Sequence, residues 1–185
     1  MKEFGNWLDL EFSEGESMYI CRRDLKFEGV EELSRSGLKW RGEEWEDLGL
    51  GELGEDMRMN WEGFCDKFVG WDVRGYELRV ESMERDSCKL FHGDNVLSRM
   101  IIVYYGLGTE YLDVCDVNWE NLGVEWSSFE EYNDGVVRDW GRVRCLGEGD
   151  IGVMMGERWG FPCIHRAPDV EEGGLSRFLF VGTIY

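Results

Sequence analysis

From residue 76 onward the chain is a succession of short β-type runs separated by glycine turns. This sequence pattern constrains the fold more strongly than any other feature of the chain. Residues 76–80 alternate between apolar and polar side chains, as a half-buried strand does. Further β-type runs follow at 96–105, 142–146, 151–155 and 178–185. Glycine-containing turns close two of them, at 106–108 and 147–150. Short strands joined by tight turns predict a mainly β fold, a sandwich or a barrel.

The part before this β region has a different pattern. Trp61, Phe64, Cys65 and Phe68 recur at helical spacing, which predicts an amphipathic helix that Gly70 would end. Residues 42–56 are acidic and rich in glycine, and we expect a surface loop or a short helix there. We therefore divide the chain into an N-terminal helical and irregular extension, 1–75, and a β core, 76–185, within one compact domain.

A polar and aromatic insert interrupts the β core at about 110–140. Ser127-Ser128-Phe129-Glu130-Glu131 resembles the capped beginning of a helix, because a serine followed three residues later by glutamate can satisfy the first amide groups. We expect this insert to shape the substrate pocket.

Composition narrows the class of partner. The formal charge is −19 over 185 residues, which disfavours nucleic acid and anionic membrane surfaces. There is no apolar run near the roughly 18 residues that a membrane span needs, and six cysteines lack any CxxC pair. We expect a cytoplasmic protein with reduced thiols, a small-molecule or a protein or peptide substrate, and an oligomeric state that the sequence leaves open.

The chain contains two histidines, and both lie in a pattern that suits a metal. In His92-Gly93-Asp94 the two outer side chains leave the same face of an extended backbone, and His165 follows between Pro162 and Pro168. Two histidines and one carboxylate are the ligands of the Fe(II) facial triad, although imidazole and carboxylate do not by themselves select iron over zinc or manganese. A single HxD also arises by chance, so an incidental pair in a binding module is an alternative.

Several short motifs carry a resemblance to a known family. They are Phe91-His92-Gly93-Asp94-Asn95, Tyr104-Tyr105-Gly106-Leu107-Gly108-Thr109, Gly149-Asp150, His165-Arg166-Ala167-Pro168 and Arg177. Over roughly half of the chain, their order and spacing resemble those of the Fe(II)/2-oxoglutarate-dependent oxygenases. The chain is more narrowly similar to an uncharacterised bacterial domain family of this pattern, whereas its N-terminal part resembles nothing specific.

The resemblance implies a fold and a site. It implies a double-stranded β-helix, a jelly-roll or cupin-like core with N-terminal helices packed outside, in which His92, Asp94 and His165 bind Fe(II). Arg177 would pair with the far carboxylate of 2-oxoglutarate, which suits the planar guanidinium. Tyr104 would donate a hydrogen bond to the same carboxylate or be an ordinary core tyrosine.

Arg166 is the rival for the carboxylate, because the gap of twelve residues from His165 to Arg177 is longer than is usual in prolyl-hydroxylase-like members. Next to a ligand on an extended strand, however, Arg166 would point away from the metal, so Arg177 is preferred.

The predicted function is that of an Fe(II)- and 2-oxoglutarate-dependent oxygenase that hydroxylates an unidentified substrate, with no catalytic residue beyond the metal ligands. The alternative is a cupin-like divalent-metal-binding protein with a non-oxidative or metal-handling role. We expect no cysteine among the ligands, and Cys163, two residues before His165, is the nearest exception.

Overall fold

Two facing β-sheets form the centre of the structure, a computed structural model that describes residues 1–42, 50–83, 88–168 and 176–185. The strands are β1 (Lys2–Glu3), β2 (Met18–Cys21), β3 (Lys39–Gly42), β4 (Tyr76–Met83), β5 (Ser98–Tyr105), β6 (Glu110–Leu112), β7 (Arg144–Cys145), β8 (Ile151–Met155), β9 (Ile164–Arg166) and β10 (Arg177–Ile184). The α-helices are α1 (Val30–Ser34), α2 (Glu52–Asp66) and α3 (Phe129–Val136). Short 3-10 turns cover Trp7–Asp9, Val114–Asp116, Trp119–Asn121, Trp140–Arg142 and Glu157–Trp159.

The chain alternates between the two sheets. The large sheet has the order β1-β2-β8-β5-β10-β4-β3, and the small sheet has the order β7-β6-β9. All pairs are antiparallel except β1 with β2. From β5 onward the chain passes from the large sheet to β6 and β7 of the small one, back to β8, across to β9 and back to β10. This is the winding of a double-stranded β-helix, so the predicted mainly β fold with helices outside is confirmed.

The central strands of the large sheet, β2, β8, β5 and β10, are buried on both faces, and alternate residues define two separate cores. On β5, Met100 and Ile102 face α2, whereas Ile101 and Val103 face the small sheet. Strand β10 divides Phe180 from Val181 in the same way. Helix α2 can approach closely because β10 carries Gly182, where a Cβ atom would lie 2.6 Å from the Trp61 ring.

The small sheet has its own outer layer. Leu112 and Ile164 pack with Tyr132 and Val136 of α3, so the insert predicted at 110–140 covers the outer face of this sheet. As predicted, α3 begins after Ser128, whose hydroxyl accepts a hydrogen bond from the Glu131 amide.

Some predicted boundaries differ from the structure. Strand β8 covers the predicted 151–155, but the run predicted at 142–146 is reduced to β7 because a 3-10 turn occupies Trp140–Arg142. Helix α2 ends at Asp66, before Gly70, and the loop or short helix expected over 42–56 lies partly outside the described residues.

The N-terminal part also differs from a purely helical and irregular extension, because it supplies β1, β2 and β3 to the large sheet. The division at residue 75 stays a prediction. Within the described ranges, no helix is both long enough and apolar enough to cross a membrane.

Candidate metal centre

The two histidines lie opposite each other on neighbouring extended segments. The His92 amide donates to the His165 carbonyl and the His165 amide to the His92 carbonyl, both at 3.0 Å. Residues that exchange both hydrogen bonds in this way present their side chains on the same face, and the imidazole centroids are 4.7 Å apart. The β-bridge therefore brings together ligands that are 73 positions apart in sequence (165 − 92).

Helix α3 holds the segment that leads into His92. The Phe91 amide donates to Asn133 Oδ1 at 3.0 Å, and the Tyr132 hydroxyl donates to the Phe91 carbonyl at 2.9 Å. On the far side of His92, a Cβ atom at Gly93 would lie 3.1 Å from Pro162 Cβ. Glycine at this position thus allows the HxD segment and the His165 segment to approach each other.

Asp94 completes the cluster. Its Oδ2 atom is 3.2 Å from His165 Nε2, and its Oδ1 atom is 3.7 Å from His92 Nε2. One ligand atom from each of His92, Asp94 and His165 lies within 4.8 Å of the others. In the part of the chain that the structure describes, this is the one group of three histidine, cysteine or acidic side chains found at such spacing.

The second nitrogen of each histidine decides how the cluster can act. His92 Nδ1 lies 2.7 Å from the Leu90 carbonyl and His165 Nδ1 lies 3.0 Å from the Cys163 carbonyl. A carbonyl oxygen only accepts, so both Nδ1 atoms carry hydrogen, and in the neutral rings both Nε2 lone pairs are directed to the cluster. A lone pair facing a carboxylate oxygen needs a cation between them, either a proton or a metal ion. The donor set therefore fits a divalent metal with three ligands on one side.

Electrostatics favour the deprotonated ligands. Burial raises the pKa of the Asp94 carboxyl, but the hydrogen bond and charge of His165, together with the charge of Arg99, outweigh burial and hold this pKa well below its usual range. Burial and the neighbouring His165 lower the pKa of His92 from its ordinary 6.5. Both shifts leave these groups ready to bind a metal at neutral pH.

Arg99 is a residue of this site that the sequence analysis missed. Its Nη1 atom is 2.5 Å from Asp94 Oδ2, and its Nε donates to Thr183 Oγ1 at 3.3 Å. The available signal was a charged residue within the otherwise apolar run of β5. A cation within a strand that is buried on both faces needs a partner, and here the partner is the carboxylate of the HxD motif.

A cavity of about 190 Å³ adjoins the histidines. Its wall is formed by residues of both sheets and of the segments beside them: Arg79, Glu81, Cys88, His92, Arg99, Ile101, Thr109, His165, Arg166, Ala167, Arg177, Leu179 and Val181. Arg177 is therefore brought to the same cavity as both histidines. Burial lowers the pKa of the Arg177 guanidinium to about 10, opposed by the negative charge of Glu81.

Arg166 has a different environment although it also touches the cavity. Its Nε donates to Glu110 Oε2 at 2.6 Å, and its guanidinium carbon lies 4.8 Å from the centroid of the Phe91 ring. Since His165 and Arg166 are consecutive on β9, their side chains leave opposite faces. The Arg166 side chain thus leaves β9 on the face opposite to that of His165, and the choice of Arg177 over Arg166 stays a prediction.

Tyr104 requires a correction, because it is not brought to the cavity. It belongs to the set on β5 that faces α2, and its hydroxyl donates to Asp56 Oδ2 at 2.6 Å. Burial and the Asp56 carboxylate raise the pKa of this hydroxyl well above its ordinary value. Arg99, Ile101 and Val103 have the other parity and face inward, so Tyr104 is a core tyrosine on the wrong face to bind a cosubstrate.

Cys163 lies in the core between the sheets. Its thiol is buried and contacts Met18 Sδ at 3.9 Å, and burial raises its pKa strongly. A thiol held neutral in apolar surroundings is a poor metal ligand. Its contribution to the site is the backbone carbonyl that accepts from His165 Nδ1.

Comparisons with known proteins come from family profiles and solved structures. Residues 10–181 match the family described as "Protein of unknown function (DUF1826)", and no functionally curated protein matches. A prolyl-4-hydroxylase of Pseudomonas putida is similar at 10% identity and a TM-score of 0.38, covering 79% of this chain and 70% of that chain. A candidate oxygenase of Shewanella oneidensis is similar at 12% identity and a TM-score of 0.40. This second comparison covers 80% of this chain and 61% of that chain. At these values neither neighbour's activity transfers to this chain.

Proposed function

This chain belongs to the DUF1826 family, and we propose that it is an oxygenase that depends on Fe(II) and 2-oxoglutarate and hydroxylates its substrate. One observation carries the proposal. His92, Asp94 and His165 converge within 4.8 Å beside a cavity that Arg177 also lines. A metal ligand set and a buried arginine in one cavity suit a small anion that binds the metal at one end and the guanidinium at the other.

The arginine side chains around the cavity support an anionic cosubstrate. Although the whole chain carries a formal charge of −19, the cavity is lined by four arginines and one glutamate. Arg79, Arg99 and Arg166 have carboxylate partners among the described residues. The arginines in the lining nevertheless offer guanidinium donors, which suit a dicarboxylate such as 2-oxoglutarate.

Each side chain would have a defined task. His92 and His165 would hold the metal through Nε2 and Asp94 through a carboxylate oxygen, while Arg177 would bind the far carboxylate of the cosubstrate. Ile101, Leu179 and Val181 provide apolar wall and exclude water. When bound, Fe(II) and 2-oxoglutarate supply the oxidation, in which O₂ converts 2-oxoglutarate to succinate and CO₂ and a substrate C–H bond is hydroxylated.

The decisive experiment is anaerobic addition of Fe(II) and then 2-oxoglutarate to the purified protein. A visible charge-transfer band should appear with the wild-type chain and be absent from His165→Ala. Tyr104→Phe is the matched control and should keep the band, because Tyr104 lies on the other face of the sheet. Metal uptake without a band would replace the proposal by the cupin-like alternative, a divalent-metal protein without oxidative chemistry.

Location and partners complete the proposal. We place the protein in the cytoplasm with a small-molecule or peptide substrate, and its acidity supports the exclusion of nucleic acid and anionic membranes. Fractionation of cells and a nucleic-acid binding assay at low salt would test these points.

A further inference from the structure

A second, open cavity of about 580 Å³ lies beside the metal cavity and shares two lining residues with it, Arg166 and Ala167. We call it the outer groove. Its lining consists of Lys89, Phe129, Glu130, Asn133, Asp134, Trp140, Arg166 and Ala167. The two cavities therefore adjoin each other at Arg166 and Ala167.

The outer groove presents two aromatic rings to solvent. Phe129 and Trp140 are 59% and 44% exposed. Trp140 is nevertheless held in place, since its Nε1 donates to Asp134 Oδ1 at 2.9 Å and the Arg166 guanidinium lies 5.1 Å from its ring centroid. Exposed aromatic side chains that are already fixed lose little entropy on binding and are typical anchors of an interface.

The aromatic wall is connected to the metal centre through the backbone. Arg166 lies between the rings of Phe91 and Trp140, and it directly follows His165 on β9. Phe91 directly precedes His92. The end of β9 and the residue after it thus contribute to both cavities, directly beside His165.

The segment that forms the groove is the acidic insert of the chain. Residues 110–140 contain nine acidic residues and one basic residue, Arg138. Within the groove lining, Glu130 and Asp134 balance Lys89 and Arg166, and Arg166 is also paired with Glu110. Of the other carboxylates in the insert, Asp113 pairs with Arg144 and Asp116 with Arg142. The chain as a whole carries a formal charge of −19, so a positively charged ligand would be attracted and an acidic one repelled.

From these features we infer that the outer groove binds a basic peptide segment, so that the substrate is a positively charged protein or peptide; this rests on the proposed function. A peptide is favoured because the metal cavity, about 190 Å³, is smaller than the roughly 300–1,000 Å³ of common ligand pockets. Most of the contact with a substrate must then come from the open surface outside it. An apolar or aromatic side chain of the peptide would pack on Phe129 and Trp140 while lysine or arginine residues face the acidic insert.

The test uses two pools of fluorescently labelled random decapeptides, one with lysine and the other with glutamate at three fixed positions. Binding to the full chain is followed by fluorescence anisotropy with and without Mn(II). The lysine pool should bind at least about tenfold more tightly, and its affinity should fall as salt is raised. Trp140→Ala should weaken binding by about tenfold or more. Trp71→Ala is the control, because Trp71 is similarly exposed (41%) and stacks on Trp159 outside the groove.

Equal binding of the two pools, or unchanged binding by Trp140→Ala, would overturn the inference. If spermine binds as tightly as the lysine pool, the groove takes a small polyamine and the peptide assignment is wrong. Metal and 2-oxoglutarate titrations on the same preparations separate the two proposals. Cosubstrate binding without peptide binding refutes only the groove, whereas peptide binding without cosubstrate binding supports the groove and refutes the oxygenase.

Discussion

The two faces of the large sheet both contain buried charged groups, but they use them differently. On the outer face, Arg23 Nη1 donates to Asp56 Oδ1 at 2.8 Å, Tyr104 donates to Asp56 Oδ2, and Arg23 Nε donates to the Gly149 carbonyl at 2.8 Å. Each bond is between a donor and an acceptor, so the network is closed in the sense that it needs no added cation, although Arg23 Nη2 is buried without a hydrogen-bond partner among the described residues. It ties α2 to the sheet and to the turn before β8.

On the inner face the two histidines and Asp94 do not form such donor–acceptor pairs with one another. Two imidazole nitrogens and a carboxylate converge, and they border a cavity rather than packed side chains. The same alternation along β5 assigns Tyr104 to the closed network and Arg99 to the open cluster. The comparison shows that buried charge by itself does not identify a functional site. A candidate site is identified by a group of hydrogen-bond acceptors, here two imidazole nitrogens and a carboxylate, that needs a cation between them.

The largest effect on stability should come from the outer face. Asp56→Ala leaves Arg23 and Tyr104 buried without their shared partner, and we expect the free energy of unfolding to fall by about 3–5 kcal/mol. Denaturant unfolding measures it. Glu62→Ala, on the exposed side of α2, is the control and should change stability by less than about 0.5 kcal/mol. Weakened metal binding in folded Asp56→Ala protein would contradict the separation of the two faces.

Substitutions on the inner face of the large sheet should change the affinity for the metal. His165→Ala should lower metal affinity by more than about a hundredfold, since losing even an outer partner of a metal ligand costs 10–100-fold. Isothermal titration measures this, with circular dichroism to verify the fold. A variant that keeps its metal would show that the cluster is not the binding site.

The same site should show a defined dependence on pH. Protons compete with the metal for His92, whose pKa is lowered from 6.5. The affinity for the metal should thus be highest above about pH 6.5, where His92 is neutral, and decline as the pH falls through this lowered pKa. An affinity that rises on acidification would contradict the assignment of His92 as a ligand.

Arg177 tests whether the cavity holds 2-oxoglutarate. Arg177→Ala removes a charge-assisted bidentate contact worth about 1.5–3 kcal/mol, so the affinity for 2-oxoglutarate should fall by at least about tenfold. Arg177→Lys should recover part of it, because an ammonium cannot reproduce the planar fork. Titration of metal-loaded protein measures the change. Arg166→Ala is the comparison, and a larger loss there would transfer the role to Arg166.

Replacing Arg99 should change the affinity for the metal and the affinity for 2-oxoglutarate in opposite directions. Arg99→Met removes a positive charge 2.5 Å from Asp94 Oδ2 and releases this oxygen. Metal affinity should rise by about three- to tenfold, while 2-oxoglutarate affinity falls because Asp94 can then occupy a second metal position. Arg158→Met is the control, because Arg158 pairs with Asp72 and neither residue lines the metal cavity. A parallel loss of both affinities would indicate general damage to the site.

The smallest effect is expected for Tyr104→Phe. Loss of one hydrogen bond to Asp56 should lower the free energy of unfolding by about 1–2 kcal/mol and leave 2-oxoglutarate binding unchanged. A clear loss of 2-oxoglutarate affinity in the folded variant would show that Tyr104 does take part in cosubstrate binding.

The extent to which these features could be predicted differs from residue to residue. His92, Asp94 and His165 were recognised because histidine is rare in this chain and the HxD spacing places two ligands on one face. The β-type runs were recognised because the alternation of apolar and polar residues is visible within a few neighbouring positions. Tyr104 was misplaced because an aromatic residue in a strand that is buried on both faces has no polar neighbour to reveal its direction.

The sequence by itself determined the elements and the candidate ligand types: strands of period two, the capped start of α3, and two imidazoles with a carboxylate. These depend on residues a few positions apart, whose geometry the backbone sets. Only the tertiary structure decided that Arg99 pairs with Asp94, that Tyr104 faces α2, and that Trp140 borders a groove next to His165. Such contacts depend on strand register and on which sheet a strand joins, and pairing between distant segments decides both.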